Sequence, residues 1–120
     1  MNHAHENPTT TTFDLESVAR ELRRVDAYVR EGHTARTLVR ASDLRVVLIA
    51  LRAGASMREH RAKPTASVHC VAGHVRLHVR GGTLELARGT LLVLAAGLDH
   101  DVEAVEESSL LLTLASPSRT

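Results

Sequence analysis

Two segments of the sequence hold a histidine among widely spaced glycines, and they constrain the fold more than any other feature. In the segment 54–73, His60 stands between two terminal glycines; in the segment 89–100, two glycines precede His100. Glycine permits the backbone conformations that corners between strands require. The two segments therefore predict a small antiparallel barrel whose strands carry both histidines into an enclosed lumen.

The composition limits the size of the protein and its partners. The chain has 120 residues, of which 43% are hydrophobic, enough for one domain with a core but not for two. Its 15 Lys+Arg and 14 Asp+Glu give a net charge of +1, so we expect neither nucleic acid nor a membrane surface as a partner. The single cysteine, Cys70, cannot form an intramolecular disulfide, and the apolar run 46–51 is far shorter than the roughly 20 residues of a membrane span. We therefore expect a cytoplasmic protein.

The first part of the chain predicts an arm followed by a helix. Residues 1–12 are polar and include four consecutive threonines, which predicts a disordered N-terminal arm before a single domain over 13–120. Apolar residues at steps of three and four then predict an amphipathic helix over about 13–31, with Thr12 or Asp14 as its cap and Gly32 at its end. The apolar stripe consists of Leu15, Val18, Ala19, Leu22, Val25 and Val29.

The remaining chain predicts short strands, which form a barrel over about 34–115. Predicted strands cover 35–40, 44–52, 73–80, 83–87, 91–94 and 110–114. The run 46–51 does not alternate, so we expect it to be covered on both faces, by the lumen and by the helix or a partner. The segment 73–80 alternates well, placing Leu77 inward and His74 and His78 outward, and a turn at Gly81-Gly82 would close a hairpin in which Leu84 and Leu86 face inward.

Over roughly 34–115 the sequence resembles the cupin superfamily. In the first family motif, Ala62 stands in place of the second histidine and Ala66 in place of the glutamate. In the second family motif, alanines replace the proline and the asparagine. The residues that match the two motifs are Gly54, His60, Gly73, Gly89, Gly97 and His100. The resemblance implies a mainly β fold, a cupin-type double-stranded β-helix or jelly-roll barrel, here with an N-terminal amphipathic helix.

The resemblance also implies a site in the lumen. Family members bind one divalent metal there, and only His60 and His100 carry this role over to the present chain. The ion would be iron, manganese, nickel or zinc. His69 lies about 10 Å along a strand from Ala66 and on the opposite face, so we expect it to be structural.

Besides an interaction module that acts through its outer surface and its helix, two functions stay open at this stage, and whether the protein is an enzyme is undecided. The first is a cupin without a cofactor that binds a small polar or acidic molecule in the lumen. The second is a metal-dependent, dioxygenase-like enzyme with a two-histidine site. The proposed ligand-binding residues are His60, His100, Val68, Cys70 and Leu77. The only aromatic residues besides histidine, Phe13 and Tyr28, give little means of stacking a flat ring. Uncovered sheet edges predict a homodimer.

Overall fold

The fold consists of two short helices followed by nine strands. The computed structural model describes residues 10–59 and 64–115. Within these ranges the helices are α1 (Leu15–Leu22) and α2 (Asp26–Glu31), and the strands are β1 (His33–Arg40), β2 (Leu44–Leu51), β3 (Ser56–Glu59), β4 (Ala66–Ala72), β5 (His74–Val79), β6 (Gly82–Ala87), β7 (Leu91–Leu94), β8 (His100–Ala104) and β9 (Ser108–Ala115). The prediction of a mainly β protein is confirmed.

The strands form two antiparallel sheets that enclose one core. The larger sheet has the order β1-β2-β9-β4-β7, and the smaller has the order β3-β8-β5-β6. Both contribute to a single buried apolar cluster, which includes Ile49, Val68 and Leu110 from the larger sheet and Leu77 and Val102 from the smaller one. The space between the sheets is therefore the lumen that the sequence predicts.

Strand β2 is covered on both faces, as its continuous apolar run predicts. Val47, Ile49 and Leu51 belong to the cluster between the sheets. Leu48 and Ala50 point the other way and pack in a second cluster with buried residues of the two helices, namely Ala19, Leu22 and Tyr28. The N-terminal helical segment thus covers the outside of the larger sheet.

The structure divides the predicted helix over 13–31 into two. Asp14 caps α1 by accepting a hydrogen bond from the amide of Ser17 at 3.2 Å, and α2 ends at Gly32. Between them Val25 is extended, and its side chain is 37% exposed, while that of Val29 is 60% exposed. After the break, Tyr28 of α2, and neither of these two valines, joins the buried cluster outside the larger sheet. Tertiary packing, and not the period of the sequence, decides the end of α1.

The glycine-marked hairpin forms, one residue earlier than predicted. Val79 and Gly82 are the last paired residues, so the turn is Arg80-Gly81 and not Gly81-Gly82. Leu84 pairs with Leu77 and lies on the predicted face, but it is 40% exposed because β6 is an edge strand of its sheet.

Three strands, β3, β4 and β8, lie outside the strand ranges predicted from the sequence. Strand β3 has four residues, and β8 has five and lies between the predicted strands 91–94 and 110–114. In β8 the side chains of His100, Val102 and Ala104 are buried, while Asp101 and Glu103 alternate with them. Charges on every second residue are compatible with a strand that is buried on one face only.

Gly73, between β4 and β5, closes the first glycine segment in a tight corner. Its φ of 86° lies in the left-handed region. A Cβ atom here would clash with the backbone oxygen of Glu107 and with Ser108. Ser108 is itself fixed, since its Oγ accepts from the amide of His74 at 3.0 Å and donates to the carbonyl of Glu106 at 2.7 Å. Only glycine fits this corner.

Neither helix of the described ranges is long and apolar enough to cross a membrane. The predicted N-terminal arm falls largely on residues 1–9, outside the described residues, and stays a prediction.

Candidate ligand site in the barrel lumen

His100 is the predicted site residue that the structure describes most fully. It opens β8, and only 7% of its surface is exposed. In the register of the smaller sheet it lies between Glu59 of β3 and Val79 of β5. Val102 and Ala104, which share the buried face of β8 with it, belong to the apolar cluster between the sheets. The imidazole is therefore a polar group at the margin of an apolar lumen.

The hydrogen bond of the His100 ring decides which ring nitrogen is available to a ligand. Nδ1 lies 3.3 Å from the carbonyl oxygen of Leu98. A carbonyl can only accept, so Nδ1 carries the proton, and in the neutral ring Nε2 has a free lone pair. Nε2 has no hydrogen-bond partner in the described part of the chain. It is available as an acceptor for a ligand or a metal, or as a donor when the ring is protonated.

The other predicted site histidine, His60, lies outside the described residues, together with Ala62. The backbone places the start of this segment near the site, since β3 ends at Glu59, in register with His100. The predicted pairing of the two imidazoles stays a prediction. Glu59 is a residue that the sequence argument overlooked, although it directly precedes His60 within the first glycine segment.

The predicted apolar lining residues lie together between the sheets. Val68 and Cys70 on β4 and Leu77 on β5 are buried members of one cluster. Ala66, which stands where the family motif has a glutamate, is buried on the same face of β4. His69 lies on the opposite face, as predicted. The position for a carboxylate is thus present in the fold, but it holds a methyl group.

Cys70 is a structural residue of the lumen and not a reactive one. Its side chain has no exposed surface, and Sγ contacts the carbonyl oxygens of Ala72 at 3.4 Å and Gly73 at 3.6 Å. Burial raises the pKa of the thiol, which the hydrogen bond to Ala72 only partly offsets. The thiol is protonated at neutral pH and is a poor ligand for a metal.

The described residues do not form a complete metal centre. No group of three or more His, Cys, Asp or Glu side chains within 10–58 and 64–115 could hold a metal ion. His100 is the one described residue of the predicted ligand pair. A metal bound in the lumen would therefore depend on His60 and on non-protein ligands.

The outer face of the smaller sheet carries charged residues that pair with one another. Glu85 contacts His74 at 2.6 Å and Arg76 at 2.9 Å, and His78 contacts Glu103 at 3.1 Å. These contacts agree with the predicted outward direction of both histidines. A cavity of about 280 Å³ on this face is lined by His78 and Glu103 and does not include His100. It is separate from the predicted site.

Several solved structures resemble most or all of the chain. A conserved protein of unknown function from Streptococcus pyogenes is 25% identical, with 99% of this chain and 93% of that chain covered and a TM-score of 0.74. An RmlC-like cupin from Shewanella frigidimarina is 21% identical, with 72% and 78% covered and a TM-score of 0.66. A salicylate 1,2-dioxygenase from Pseudoaminobacter salicylatoxidans is 18% identical, with 87% of this chain but 32% of that chain covered and a TM-score of 0.75.

No protein-family model and no curated protein matches the sequence. The fold is nevertheless established by the two antiparallel sheets around one apolar lumen and by the similarity to solved cupins. This chain is a small cupin-fold protein.

Proposed function

We propose that the protein binds a small polar or acidic molecule in the barrel lumen, with His100 and His60 as its polar contacts. The observation that carries this proposal is the nearly buried ring of His100, whose Nδ1 is held by Leu98 and whose Nε2 is uncommitted among the described residues. No buried side-chain N or O atom among the described residues lacks a hydrogen-bond partner, so Nε2 retains accessible surface that a ligand can reach. A ligand donor, or an acidic ligand on the protonated ring, would form a hydrogen bond with it.

The walls of the lumen restrict the class of ligand. Val68, Cys70 and Leu77 offer only apolar surface, because the Cys70 thiol is occupied by two carbonyl groups. Tyr28 packs with the helices on the other side of β2, and Phe13 is 40% exposed. No aromatic side chain besides histidine among the described residues therefore lines the lumen. This composition favours a compact aliphatic acid or alcohol over a flat ring or a sugar.

Ring signals of His100 in NMR spectra test this proposal. We expect a panel of small hydroxy acids and carboxylic acids, malate among them, to include compounds that shift the His100 ring carbon and proton saturably. His100→Gln should abolish this binding, whereas His78→Gln, a change on the outer face, should not. If no compound moves the His100 signals, or if H100Q binds as well as the parent protein, the proposal fails.

A metal-dependent, dioxygenase-like enzyme is the second candidate. The arrangement Nδ1–H to carbonyl oxygen, seen for His100 and Leu98, is the one that commonly orients a metal-binding histidine and leaves Nε2 for the ion. The metal would be iron, manganese, nickel or zinc, and it would supply Lewis-acid or redox chemistry. Elemental analysis of protein made without a histidine tag decides this point. A content far below one ion per chain, before and after incubation with each metal, would eliminate the candidate.

We further propose that the protein is a cytoplasmic homodimer. Strands β1 and β7 are the edges of the larger sheet, and β7 leaves Leu91 and Val93 each 61% exposed. An uncovered edge with apolar side chains is a liability that a second copy would remove. Light scattering at micromolar concentration should give twice the chain mass of 13.0 kDa. A monomer mass would refute the dimer.

A further inference from the structure

A second cavity lies outside the barrel, between α1 and the larger sheet. Its volume is about 340 Å³, at the lower end of the range for small-molecule sites. The apolar part of its lining consists of Leu15, Ala19, Val71 and Ala72, the charged part consists of Glu16, Arg23 and Arg88, and Ser109 is the remaining lining residue. We call this cavity the helix groove. It is distinct from the lumen, because Val71 does not belong to the lumen cluster that contains the neighbouring Cys70 of β4.

Both walls of the helix groove are fixed in the folded protein. Helix α1 is held on β2 by its buried residues Ala19 and Leu22. Arg88 lies in the turn after β6, and this turn is tied to β4 because the amide of Gly89 donates to the carbonyl of Cys70 at 2.8 Å. A groove with fixed walls does not need to be ordered by its ligand, which lowers the entropic cost of binding.

Arg23 and Arg88 differ in whether their guanidinium groups already bind a protein partner. Nε of Arg23 pairs with Glu107 at 2.6 Å, so part of this guanidinium is already used. Arg88 has neither an ion pair nor a hydrogen bond with any residue in the ranges 10–59 and 64–115. Guanidinium groups bind carboxylates through paired, charge-assisted hydrogen bonds. An uncommitted arginine beside an apolar floor is therefore suited to an anion with an alkyl chain.

Glu16 restricts the charge of such a ligand. It lies seven residues before Arg23, which places it about 10.5 Å away along the helix axis. A second carboxylate at the far end of the ligand would approach Glu16 and be repelled. The groove should accept a monocarboxylate and disfavour a dicarboxylate of the same length.

We propose that the helix groove binds a small aliphatic monocarboxylate, with Arg88 and Arg23 holding the carboxylate and Leu15, Ala19 and Val71 contacting the alkyl chain. This site is independent of the function proposed for the lumen. It adds a ligand position on the outer surface of the barrel.

Titration of the amide NMR spectrum with hexanoate tests the proposal. We expect saturable shifts at Val71 and Ala72, and an affinity that rises several-fold for each methylene group from acetate to hexanoate. Hexanamide, which has the same chain without the charge, should bind at least about tenfold more weakly. Shifts of the His100 ring without shifts at Val71 would assign hexanoate to the lumen and overturn the groove proposal.

Variants of the charged lining residues Arg88 and Glu16 complete the test. Arg88→Gln should weaken hexanoate binding about tenfold or more, with Arg88→Lys in between because lysine lacks the paired donors. Arg80→Gln removes the same charge from the hairpin turn and should have no effect. Glu16→Gln should raise the affinity for adipate towards that for hexanoate. Equal binding by R88Q and the parent protein, or no saturation by hexanoate at all, would refute the site.

Discussion

Alanine at Gly73 should destabilise the protein far more than alanine at two other glycines with the same backbone conformation. Gly73, Gly54 and Gly97 have φ angles of 86°, 84° and 79°. Each change to alanine therefore incurs a similar cost of about 1–2 kcal/mol for a Cβ in the left-handed region. The three positions differ in their surroundings, because a Cβ at Gly54 or Gly97 meets nothing within 4 Å.

The added cost at Gly73 comes from the fixed backbone that faces it. A Cβ there overlaps the backbone oxygen of Glu107 and the side chain of Ser108, which is 1% exposed and held by two hydrogen bonds. Overpacking against atoms that cannot move costs about 1–3 kcal/mol. We therefore expect Gly73→Ala to lower the free energy of unfolding by about 2–5 kcal/mol, against about 1–2 kcal/mol for Gly54→Ala and Gly97→Ala.

Urea unfolding followed by circular dichroism measures these differences. The slope of the free energy against urea concentration should be the same for all variants, so that the midpoint reports stability alone. Equal losses for Gly73→Ala and Gly54→Ala would contradict the argument, since they would mean that the segment around Ser108 moves aside at no cost.

Three further predictions concern the core and the charged face. Leu77→Ala should lower the free energy of unfolding by about 2–5 kcal/mol because the side chain is fully buried, whereas Leu84→Ala, on the same face but 40% exposed, should cost well under half as much in the same urea assay. Hydrogen bonds from His74, the larger cause, and from Arg76 lower the pKa of Glu85. The ionised Glu85 therefore stabilises the fold above its unfolded pKa near 4.5, and this stabilisation is lost as the pH falls below that value. The urea midpoint should therefore fall less steeply in Glu85→Gln than in the parent protein between pH 5 and roughly pH 3. The Cys70 thiol should react with a thiol reagent only after unfolding, and rapid labelling of the native protein would show that the lumen opens.

The sequence predicted those strands whose own residues carry a clear pattern. The hairpin of β5 and β6 follows from alternation and from glycines, and the double coverage of β2 follows from an unbroken apolar run. Strand β8 was missed because Asp101 and Glu103 alternate with its buried residues over only five positions. The helix break was missed because Val25 continues the apolar period although packing leaves it exposed.

The candidate sites also combine features that the sequence predicted with features that it did not. The matched motif spacing predicted that His100 would face the lumen; the structure shows His100 buried on the same face of β8 as Val102, and its role as a ligand-binding residue stays a prediction. The hydrogen bond from its ring to Leu98 depends on the local turn, which the sequence pattern does not encode. The helix groove could not be predicted, since Arg23 and Arg88 are far apart in the chain and line one cavity only because α1 packs on the larger sheet.

The position of β9 has a consequence for how the protein is made. This strand comes last of the nine in sequence, yet it lies in the middle of the larger sheet, paired with β2 on one side and β4 on the other. While a ribosome is still translating residues before 108, β2 and β4 have no shared neighbour and their apolar side chains stay open to solvent. Closing such long loops is slow. The larger sheet can therefore close only after β9 has emerged, and until then the strand edges that β9 covers are open to aggregation.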